Sequence, residues 1–547
     1  MVKTERVLVI PEPDGVEFYG EWIPFDGFEN FPLAGEFNIP RGRFRLERVE
    51  GENNGVEVKD GVVEYWGEEP ICYSTIVQLV MQRPGSLPRV RVEERFDFRF
   101  RGFHLDIARG GVPKVETFKR ILRLLFLLKY NYFAIYFEDL FPWRAYPQIG
   151  AHRGRLSEVE LREVVEYGRR LGVEVFPSLE LTGHMEHILS LPEFYRFNEW
   201  HNPTEGCLNV SDAEAREFSY ELLKEVVDFF NSKYIHVGGD ETWALGRGVS
   251  LNRSWSFEGP KLYEEHTRRL VEIVKASGKI PMLWGDMLTG MYLSEEERSV
   301  WKNLVYSTMW DGVLIANWDY SPNDKGYFKE KIKLFGERKG NQVACPAVAN
   351  WNRYYPNFQV AIENMRGFLE AAREERLPGF LLTAWGDDGE ECLFSFLDPL
   401  ILAAVEFAEG SGDWEEKWQL LSGEPKEILE ARKLFGRADV SENIKHVLLA
   451  DFWYHRMSEG DRESLRSSWS DVLAKLKDIR LPEDLEFIRR CLDVCVKRLE
   501  GTASPSDFIS LANAYSRLWL SERKQEGLGR IIERLWGAAG RVDSKVR

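Results

Sequence analysis

The sequence predicts an α/β protein: a (β/α)8 TIM barrel with a small N-terminal α+β domain and a C-terminal all-α domain. Three observations predict it. From about residue 100, short apolar runs alternate with helical periodicity over about 310 residues, the size of such a barrel. The preceding segment is rich in strand signals, and after about residue 411 only helical patterns remain. We expect domains at residues 1–98, 99–410 and 411–547.

The N-terminal segment begins with a short apolar run at residues 6–10. Residues 55–59 and 62–66 flank an Asp60-Gly61 turn, which predicts a β-hairpin. No residue pattern in this segment suggests chemistry.

Eight apolar runs are the predicted barrel strands. They cover residues 100–107, 132–137, 174–179, 234–238, 280–284, 313–318, 342–349 and 379–385. The predicted helices that follow them cover residues 115–129, 158–171, 213–231, 260–276, 294–303, 325–336, 358–375 and 399–409. In the C-terminal segment, apolar residues from Leu485 to Leu499 recur at spacings of three and four, as on one helix face.

Polar and aromatic residues follow the predicted strands where they end. Because the active site of such a barrel lies at the carboxyl ends of its strands, these residues should converge on one face. Those that we predict to form the site are Arg109, Glu138, His184, Asp240, Glu241, Trp284, Trp318, Tyr320, Trp351, Trp385 and Asp387.

Four of these residues are tryptophans, which suggests a sugar site. Pyranose rings present apolar CH faces that stack on aromatic rings, while their hydroxyls need carboxylate or Arg partners. Any one of these tryptophans alone would more often belong to the core. Four at corresponding strand ends favour a pocket.

Asp240-Glu241 follows Gly238-Gly239 at the end of the fourth predicted strand. Neighbouring carboxylates disfavour double ionisation, so the pKa of one of them rises. A raised pKa suits a general acid that protonates a leaving glycosidic oxygen. The alternative is a helix N-terminal turn, where acidic residues are favoured by the dipole.

The seventh predicted strand ends without a carboxylate, in Asn350-Trp351-Asn352-Arg353. A retaining glycosidase usually employs a second carboxylate as its nucleophile. Its absence here favours a nucleophile supplied by the substrate.

These residues resemble glycoside hydrolase family 20, the β-N-acetylhexosaminidases. The segment His236-Val-Gly-Gly-Asp240-Glu241 is similar to the signature of that family, and Arg101-Gly-Phe-His-Leu-Asp106-Ile-Ala-Arg109 is similar to its strand-one segment. Gly183-His184 and Trp385-Gly-Asp387 resemble its strand-three and strand-eight motifs. The resemblance covers roughly residues 99–410, and the domain layout resembles a branch with an N-terminal α/β domain and a helical C-terminal domain.

The resemblance implies an exo-acting, retaining β-N-acetylhexosaminidase that uses the substrate's acetamido group and an oxazolinium intermediate. Glu241 would be the general acid and then the general base, while Asp240 would hold the acetamido N–H. The resemblance places the remaining groups around the sugar: Arg109 and Asp387 on its hydroxyls, His184 beside the acidic pair, and Trp284, Trp318, Trp351 and Trp385 as walls.

The chain departs from the family pattern at three positions. Asp387 stands where the family more often has Glu, and Glu138-Asp139 where it usually has Asp-Asp. The strand-seven Tyr-x-Asp, whose Tyr binds the acetamido carbonyl, is not evident. Tyr320 or Tyr354 could serve instead, and we prefer Tyr320.

The composition argues against other partner classes. The formal net charge of -17 disfavours nucleic acid and anionic membranes, and no apolar run of about 20 residues predicts a membrane span. Six scattered cysteines and a charged N-terminus without a signal peptide favour a cytoplasmic protein. No cofactor is expected. The expected partner is an oligosaccharide or glycoside with a terminal N-acetylhexosamine.

The sequence bears on four alternatives. A metal site is disfavoured because His184-Met-Glu-His187 is one residue too short for the His-Glu-x-x-His motif. A chitinase would need alternating acidic residues along the fourth strand, and a sugar-binding protein without activity would lack Glu241. The C-terminal domain could instead serve mainly to form a homodimer.

Overall fold

The computed structural model describes residues 6–290 and 293–543, in which a closed barrel lies between a five-stranded sheet and a group of helices. The sheet strands are β1 (Gly15–Pro24), β2 (Arg45–Arg48), β3 (Asn54–Lys59), β4 (Val62–Trp66) and β5 (Ser86–Glu94), in the order β1-β5-β3-β4-β2. Helix α1 (Glu69–Gln82) lies between β4 and β5 in the chain. The predicted hairpin is β3 and β4, which pair antiparallel. Residues 6–10 form no strand.

The eight predicted strands close into one parallel barrel. They are β6 (Phe100–Asp106), β7 (Tyr132–Tyr136), β8 (Glu174–Ser178), β9 (Tyr234–His236), β10 (Ile280–Trp284), β11 (Leu314–Trp318), β12 (Gln342–Cys345) and β13 (Gly379–Ala384). The ring closes where β13 pairs with β6 over six residues, from Gly379 opposite Phe100 to Ala384 opposite Leu105. The predicted (β/α)8 fold class is confirmed.

Helices follow the strands around the outside of this barrel. They are α2 (Val115–Leu127), α3 (Glu158–Leu171), α4 (Glu186–Leu189), α5 (Ala213–Phe229), α6 (Val249–Ser254), α7 (Gly259–Ala276), α8 (Asp286–Thr289), α9 (Glu295–Trp301), α10 (Lys325–Lys333), α11 (Phe358–Glu374) and α12 (Asp398–Glu409). Short α4, α6 and α8 lie in the loops at the carboxyl ends of the strands. These loops form the face on which the site is expected.

Only helices follow α12 in the described part of the chain. They are α13 (Trp414–Ser422), α14 (Lys426–Phe435), α15 (Ala438–Ser441), α16 (Ile444–Leu449), α17 (Phe452–Arg456), α18 (Glu459–Leu476), α19 (Glu483–Leu499), α20 (Pro505–Glu522) and α21 (Leu528–Asp543). Among all helices of residues 6–290 and 293–543, none combines the length and the apolar character that a membrane crossing needs.

Buried polar contacts join the barrel to both neighbouring segments. Lys129 pairs with Glu94, and both side chains are almost fully buried. On the other side, the buried Arg523 donates to the carbonyl of Cys392 and lies 4.0 Å over the ring of Phe394. Breaking a buried ion pair leaves an uncompensated charge, so these contacts fix how the segments pack. We propose that the domain boundaries lie between residues 98 and 99 and between residues 410 and 411.

Candidate active site

A cavity of about 250 Å³ opens at the carboxyl ends of the barrel strands. Its lining residues are Arg109, His184, Asp240, Glu241, Trp318, Tyr320, Trp351, Trp385 and Asp387. All nine belong to the set that the sequence predicts, and the structure brings them together from six strand ends. The two other predicted residues, Glu138 and Trp284, lie behind the wall, where each is at most 2% exposed.

Two glycines bring the acidic pair into this cavity. Gly238 and Gly239 have φ of 75° and 93°, in the left-handed region that favours glycine. A Cβ on Gly238 would lie 2.2 Å from Oε2 of Glu180, and one on Gly239 would lie 2.7 Å from the hydroxyl of Tyr263. The strand can therefore turn here only without side chains. Asp240 and Glu241 follow at once.

His184 lies between the two carboxylates. Its Nε2 is 3.5 Å from Oδ2 of Asp240 and 3.5 Å from Oε2 of Glu241. Although burial disfavours a charged ring, the Asp240 carboxylate raises the pKa of His184 to about 10. The histidine is therefore a cation near neutral pH, and its charge stabilises the ionised form of both acids.

The surroundings shift the pKa values of the two acids in opposite directions. Burial alone would raise the pKa of Asp240, but the charge of His184 lowers it below the usual range of an aspartate. Burial, and then the charge of Asp240, raises the pKa of Glu241. Oδ1 of Asp240 is buried and has no hydrogen-bond partner among the described residues. Between these two pKa values, Asp240 is an ionised acceptor while Glu241 still holds its proton.

Two further carboxyls support the pair from behind, and neither is among the residues that we predict to form the site. Glu180 accepts from the backbone N–H of Gly239 (3.1 Å) and from Nε1 of Trp284 (3.3 Å). Asp286 accepts from the backbone N–H of Glu241 at 3.0 Å, and burial with the Asp240 charge raises the pKa of Asp286 to about 8. Both residues follow predicted strands, and this position is the sequence feature that could have identified them as part of the site.

Arg109 organises the opposite side of the cavity. Its Nη2 lies 2.8 Å from Oε1 of Glu138, its Nε 3.5 Å from Oδ2 of Asp106, and its Nη1 3.7 Å from Oδ1 of Asp387. Asp106 also accepts from the backbone N–H groups of Ala108 (2.8 Å) and Gly386 (2.9 Å). Such a fixed guanidinium and the partly exposed Asp387 carboxylate can bind sugar hydroxyls.

Aromatic rings form the remaining wall. Trp318 stacks on Tyr320 with ring centroids 5.0 Å apart, and Tyr320 lies 5.4 Å from Trp351. Nε1 of Trp385 donates to the Tyr320 hydroxyl at 2.7 Å. Nε1 of Trp318 donates to Asp286 at 3.2 Å, which ties this wall to the acidic pair. These contacts hold the rings at fixed angles.

Besides Glu138, two aromatic residues lie outside the cavity that the sequence suggested for them. Trp284 is fully buried one layer below the cavity, packed on His236 with ring centroids 4.4 Å apart, so it supports the wall and does not line it. Tyr354 is buried against Phe487 and Tyr515 of the C-terminal helices. Of the two tyrosines considered for the acetamido carbonyl, only Tyr320 lines the cavity.

Four predicted site residues adopt left-handed backbone conformations. Glu138, His184, Glu241 and Asp387 have φ of 44°, 48°, 46° and 21°. Residues with a Cβ rarely adopt these angles, because the Cβ approaches the carbonyl oxygen too closely. Backbone strain of this kind concentrates at functional sites.

Two groups of side chains in the described residues are close enough to share an ion. They are Glu138, His184 and Glu186, and His184, Asp240 and Glu241. Both require His184 as a neutral ligand. Since the pKa of His184 is raised to about 10, its proton competes with a metal in either group.

Comparisons with known proteins agree with this geometry. The family model described as "Glycosyl hydrolase family 20, catalytic domain" matches residues 98–388, just over half of the chain. Human hexosaminidase D is 28% identical over 298 residues, which are 53% of this chain and 60% of the human protein. A β-hexosaminidase from Vibrio furnissii is 29% identical over 41% of this chain and 43% of its own length. The chain thus spans less than two thirds of these relatives.

Solved structures share the fold at low sequence identity. A β-N-acetylhexosaminidase from Bacteroides fragilis is similar with a TM-score of 0.60 at 19% identity, over 74% of this chain and 92% of that one. A family 20 β-N-acetylhexosaminidase from Streptomyces coelicolor gives a TM-score of 0.57 at 17% identity, over 76% of this chain and 94% of that one.

Proposed function

Since the chain belongs to glycosyl hydrolase family 20, we propose that it is an exo-acting, retaining β-N-acetylhexosaminidase. It removes terminal β-linked N-acetylglucosamine or N-acetylgalactosamine from an oligosaccharide or glycoside. The observation that carries this proposal is the difference between two adjacent carboxyls: the pKa of Glu241 is raised, whereas the pKa of Asp240 is lowered and its buried Oδ1 has no hydrogen-bond partner among the described residues.

The first step uses the substrate's own acetamido group. Its carbonyl oxygen attacks the anomeric carbon, the bond to the leaving oxygen breaks, and Glu241 gives that oxygen its proton. Oδ1 of Asp240 accepts a hydrogen bond from the acetamido N–H and offsets the positive charge of the oxazolinium that forms. Tyr320 donates its hydroxyl to the acetamido oxygen.

The second step returns the site to its starting state. Water attacks the anomeric carbon from the side that the leaving group vacated, and the Glu241 carboxylate takes its proton. The oxazolinium ring opens, the acetamido group is restored, and the product keeps the β configuration. Arg109 and Asp387 hold the hydroxyls of the sugar throughout, and the aromatic wall holds its apolar face.

We also propose that the protein acts in the cytoplasm. Its six cysteines are buried, and none of them forms a disulfide in the described part of the chain, which fits a reducing compartment.

Wild-type enzyme should depend strongly on the 2-acetamido group. We expect 4-nitrophenyl β-N-acetylglucosaminide to be hydrolysed at least about 10³-fold faster than the matching β-glucoside, because an attached nucleophile has a large effective concentration. Initial rates of nitrophenol release measure this. Equal rates on the two glycosides would contradict the substrate-assisted mechanism.

The His184→Asn variant should move both limbs of the pH profile to higher pH. The imidazolium lowers the pKa of Asp240 and of Glu241, so its removal raises both. The acid limb follows protonation of Asp240, and the alkaline limb follows deprotonation of Glu241. We would measure kcat/KM against pH, with the exposed His152→Asn as control. Limbs that stay in place, or move apart, would contradict the assigned roles.

A further inference from the structure

The barrel holds the Asp387 carboxylate only loosely. Asp387 lies in the loop that follows β13, and its side chain is 37% exposed. Among the described residues, the one ion-pair partner of this carboxylate is Arg109, whose Nη1 lies 3.7 Å away, beyond hydrogen-bond distance. The position of the carboxylate therefore depends on the backbone of the loop that carries it.

That backbone is strained over four consecutive residues. Asp387, Asp388, Gly389 and Glu390 have φ of 21°, 25°, 120° and 59°, all in the left-handed region. Three of the four residues carry a Cβ, which makes these angles costly. Such a turn persists only where surrounding contacts hold it. The neighbouring contacts show that the C-terminal helices provide this support.

Arg534 of α21 holds the turn at Asp388. Its Nη2 pairs with Oδ1 of Asp388 at 2.7 Å, and its Nη1 donates to the carbonyl of Asp388 at 3.0 Å and to Oε1 of Glu391 at 2.9 Å. Lys445 of α16 meets the same two carboxylates, at 3.0 Å and 2.9 Å. Because Arg534 binds both the backbone and the side chain of Asp388, it fixes the peptide that follows Asp387.

Helix α20 holds the continuation of the same loop. The hydroxyl of Tyr515 donates to the carbonyl of Glu391 at 2.7 Å. The carboxylate of Glu522 accepts from the backbone N–H groups of Phe394 at 2.9 Å and Ser395 at 3.0 Å. The loop after β13 is thus bound to the C-terminal helices along its length.

The C-terminal helices also contact the loop that carries Arg109. Arg530 of α21 donates to the carbonyl of Arg109 at 2.9 Å. Just before α21, Gly527 has φ of 86°, and a Cβ on it would lie 1.7 Å from the carbonyl oxygen of Gly110. This close approach is open only to glycine. The same helix end therefore contacts both loops whose side chains, Arg109 and Asp387, are proposed to bind sugar hydroxyls.

We propose that Arg534 is a positioning residue of this glycosidase: by holding the strained turn at Asp388, it places the Asp387 carboxylate against a sugar hydroxyl. Arg534 acts through Asp387 and does not touch the substrate. The C-terminal helices then take part in substrate recognition, because they determine how strongly the enzyme binds that hydroxyl. This inference rests on the proposed function and adds a specificity element to it.

Arg534→Met is expected to remove this support and leave the fold intact. Lys445 stays paired with the buried Glu391, so no buried carboxylate is left alone. The side chain of Asp388 is half exposed and can be solvated when it loses its partner. Arg534 and Asp388 also line a cavity of about 640 Å³, which leaves room for the shorter side chain. The turn at Asp387 should therefore relax without wider unfolding.

The test measures how strongly each variant depends on single sugar hydroxyls. The substrates are 4-nitrophenyl β-N-acetylglucosaminide and its 4-deoxy and 6-deoxy analogues. The ratio of kcat/KM between parent and analogue cancels differences in the amount of folded enzyme. Asp387→Ala identifies the hydroxyl that Asp387 binds. Removal of that hydroxyl should cost wild type about 10- to 100-fold, as for a hydrogen bond to a charged group, and should cost Asp387→Ala little.

For that hydroxyl, we expect the ratio in Arg534→Met to be at least about fivefold lower than in wild type, because a displaced carboxylate forms a weaker hydrogen bond. Arg534→Lys can still pair with Asp388 and should recover part of the loss. Asp388→Asn keeps the shape of the side chain and removes the charge that Arg534 holds. It should lower the ratio in the same direction, and it provides the test if Arg534→Met does not fold.

Arg517→Met is the matched control. Arg517 lies on α20, and its pair with Glu483, at 3.5 Å, is exposed, so every ratio should match wild type. Wild-type ratios in Arg534→Met and Asp388→Asn would overturn the inference. Wild-type ratios for both analogues in Asp387→Ala would also overturn it. A wild-type enzyme inactive on the parent glycoside would instead refute the proposed function.

Discussion

Glu241→Gln is expected to lower kcat on an N-acetylglucosamine disaccharide about 10²- to 10⁴-fold, the contribution typical of a positioned general acid. The amide has nearly the shape of the carboxyl but cannot release a proton to the leaving oxygen. Because burial and Asp240 raise the pKa of Glu241, the wild-type residue holds that proton in the pH range where Asp240 is already ionised.

Substrates with different leaving groups show whether the lower kcat of Glu241→Gln comes from the lost protonation of the leaving oxygen. A 2,4-dinitrophenyl leaving group departs with little protonation, so the first step should be nearly normal in Glu241→Gln, and a burst of phenol should precede slow turnover. Stopped-flow absorbance measures the burst. Glu193→Gln, at an exposed glutamate, is the control. A loss of equal size on the dinitrophenyl glycoside and the disaccharide would contradict the role of Glu241 as acid.

Asp240→Asn is expected to lower kcat/KM about 10²- to 10³-fold, as the loss of one aligned electrostatic contact does in other enzymes. The carboxylate carries the charge that offsets the oxazolinium, and its unpartnered Oδ1 is placed to accept the acetamido N–H. The amide keeps the shape and removes the charge. It also removes the partner that raises the pKa of His184.

The leaving-group dependence separates this variant from the first. Asp240 acts on the acetamido group, so the loss should be similar for dinitrophenyl and disaccharide substrates. A thiazoline analogue of the oxazoline should bind wild type strongly and Asp240→Asn weakly, by calorimetry. The exposed Asp471→Asn should behave as wild type. Tight thiazoline binding by Asp240→Asn would contradict the assignment.

The barrel could be predicted from the sequence because its strands are short, apolar and bounded by breakers. Strand β10 ends at the predicted residue, Trp284. The predicted seventh strand ran to residue 349, but β12 ends at Cys345, because Pro346 follows and has no N–H for the ladder. The predicted fourth strand included Gly238, whereas β9 ends at His236.

Helix α1 shows what a pattern cannot reveal. Nine consecutive residues, from Ile71 to Leu79, are buried, because the helix lies between the N-terminal sheet and the barrel. A helix buried all round has no polar face and therefore no amphipathic period. Its existence follows from tertiary packing that no local signal contains.

The sequence predicts which residues belong to the site, but it does not predict which of them line the cavity and which lie in the layer below it. Trp284 lies opposite Ala316 in the barrel, two residues before Trp318 on β11, so it lies one layer deeper than the wall. The choice between Tyr320 and Tyr354 depended on the C-terminal helices, which bury Tyr354. The supporting roles of Glu180 and Asp286 depended on backbone N–H directions that only the folded chain defines.

The left-handed backbone at Glu138, His184, Glu241 and Asp387 bears on how this protein can be engineered. Each such residue costs about 1 kcal/mol or more of folding free energy, which a glycine there would relieve. Selection for heat resistance and selection for turnover therefore favour different amino acids at such positions. At the two more exposed positions, Glu241 and Asp387, a library selected for thermal tolerance alone would drift toward glycine and yield stable, inactive protein, so selection must also reward sugar release in every round.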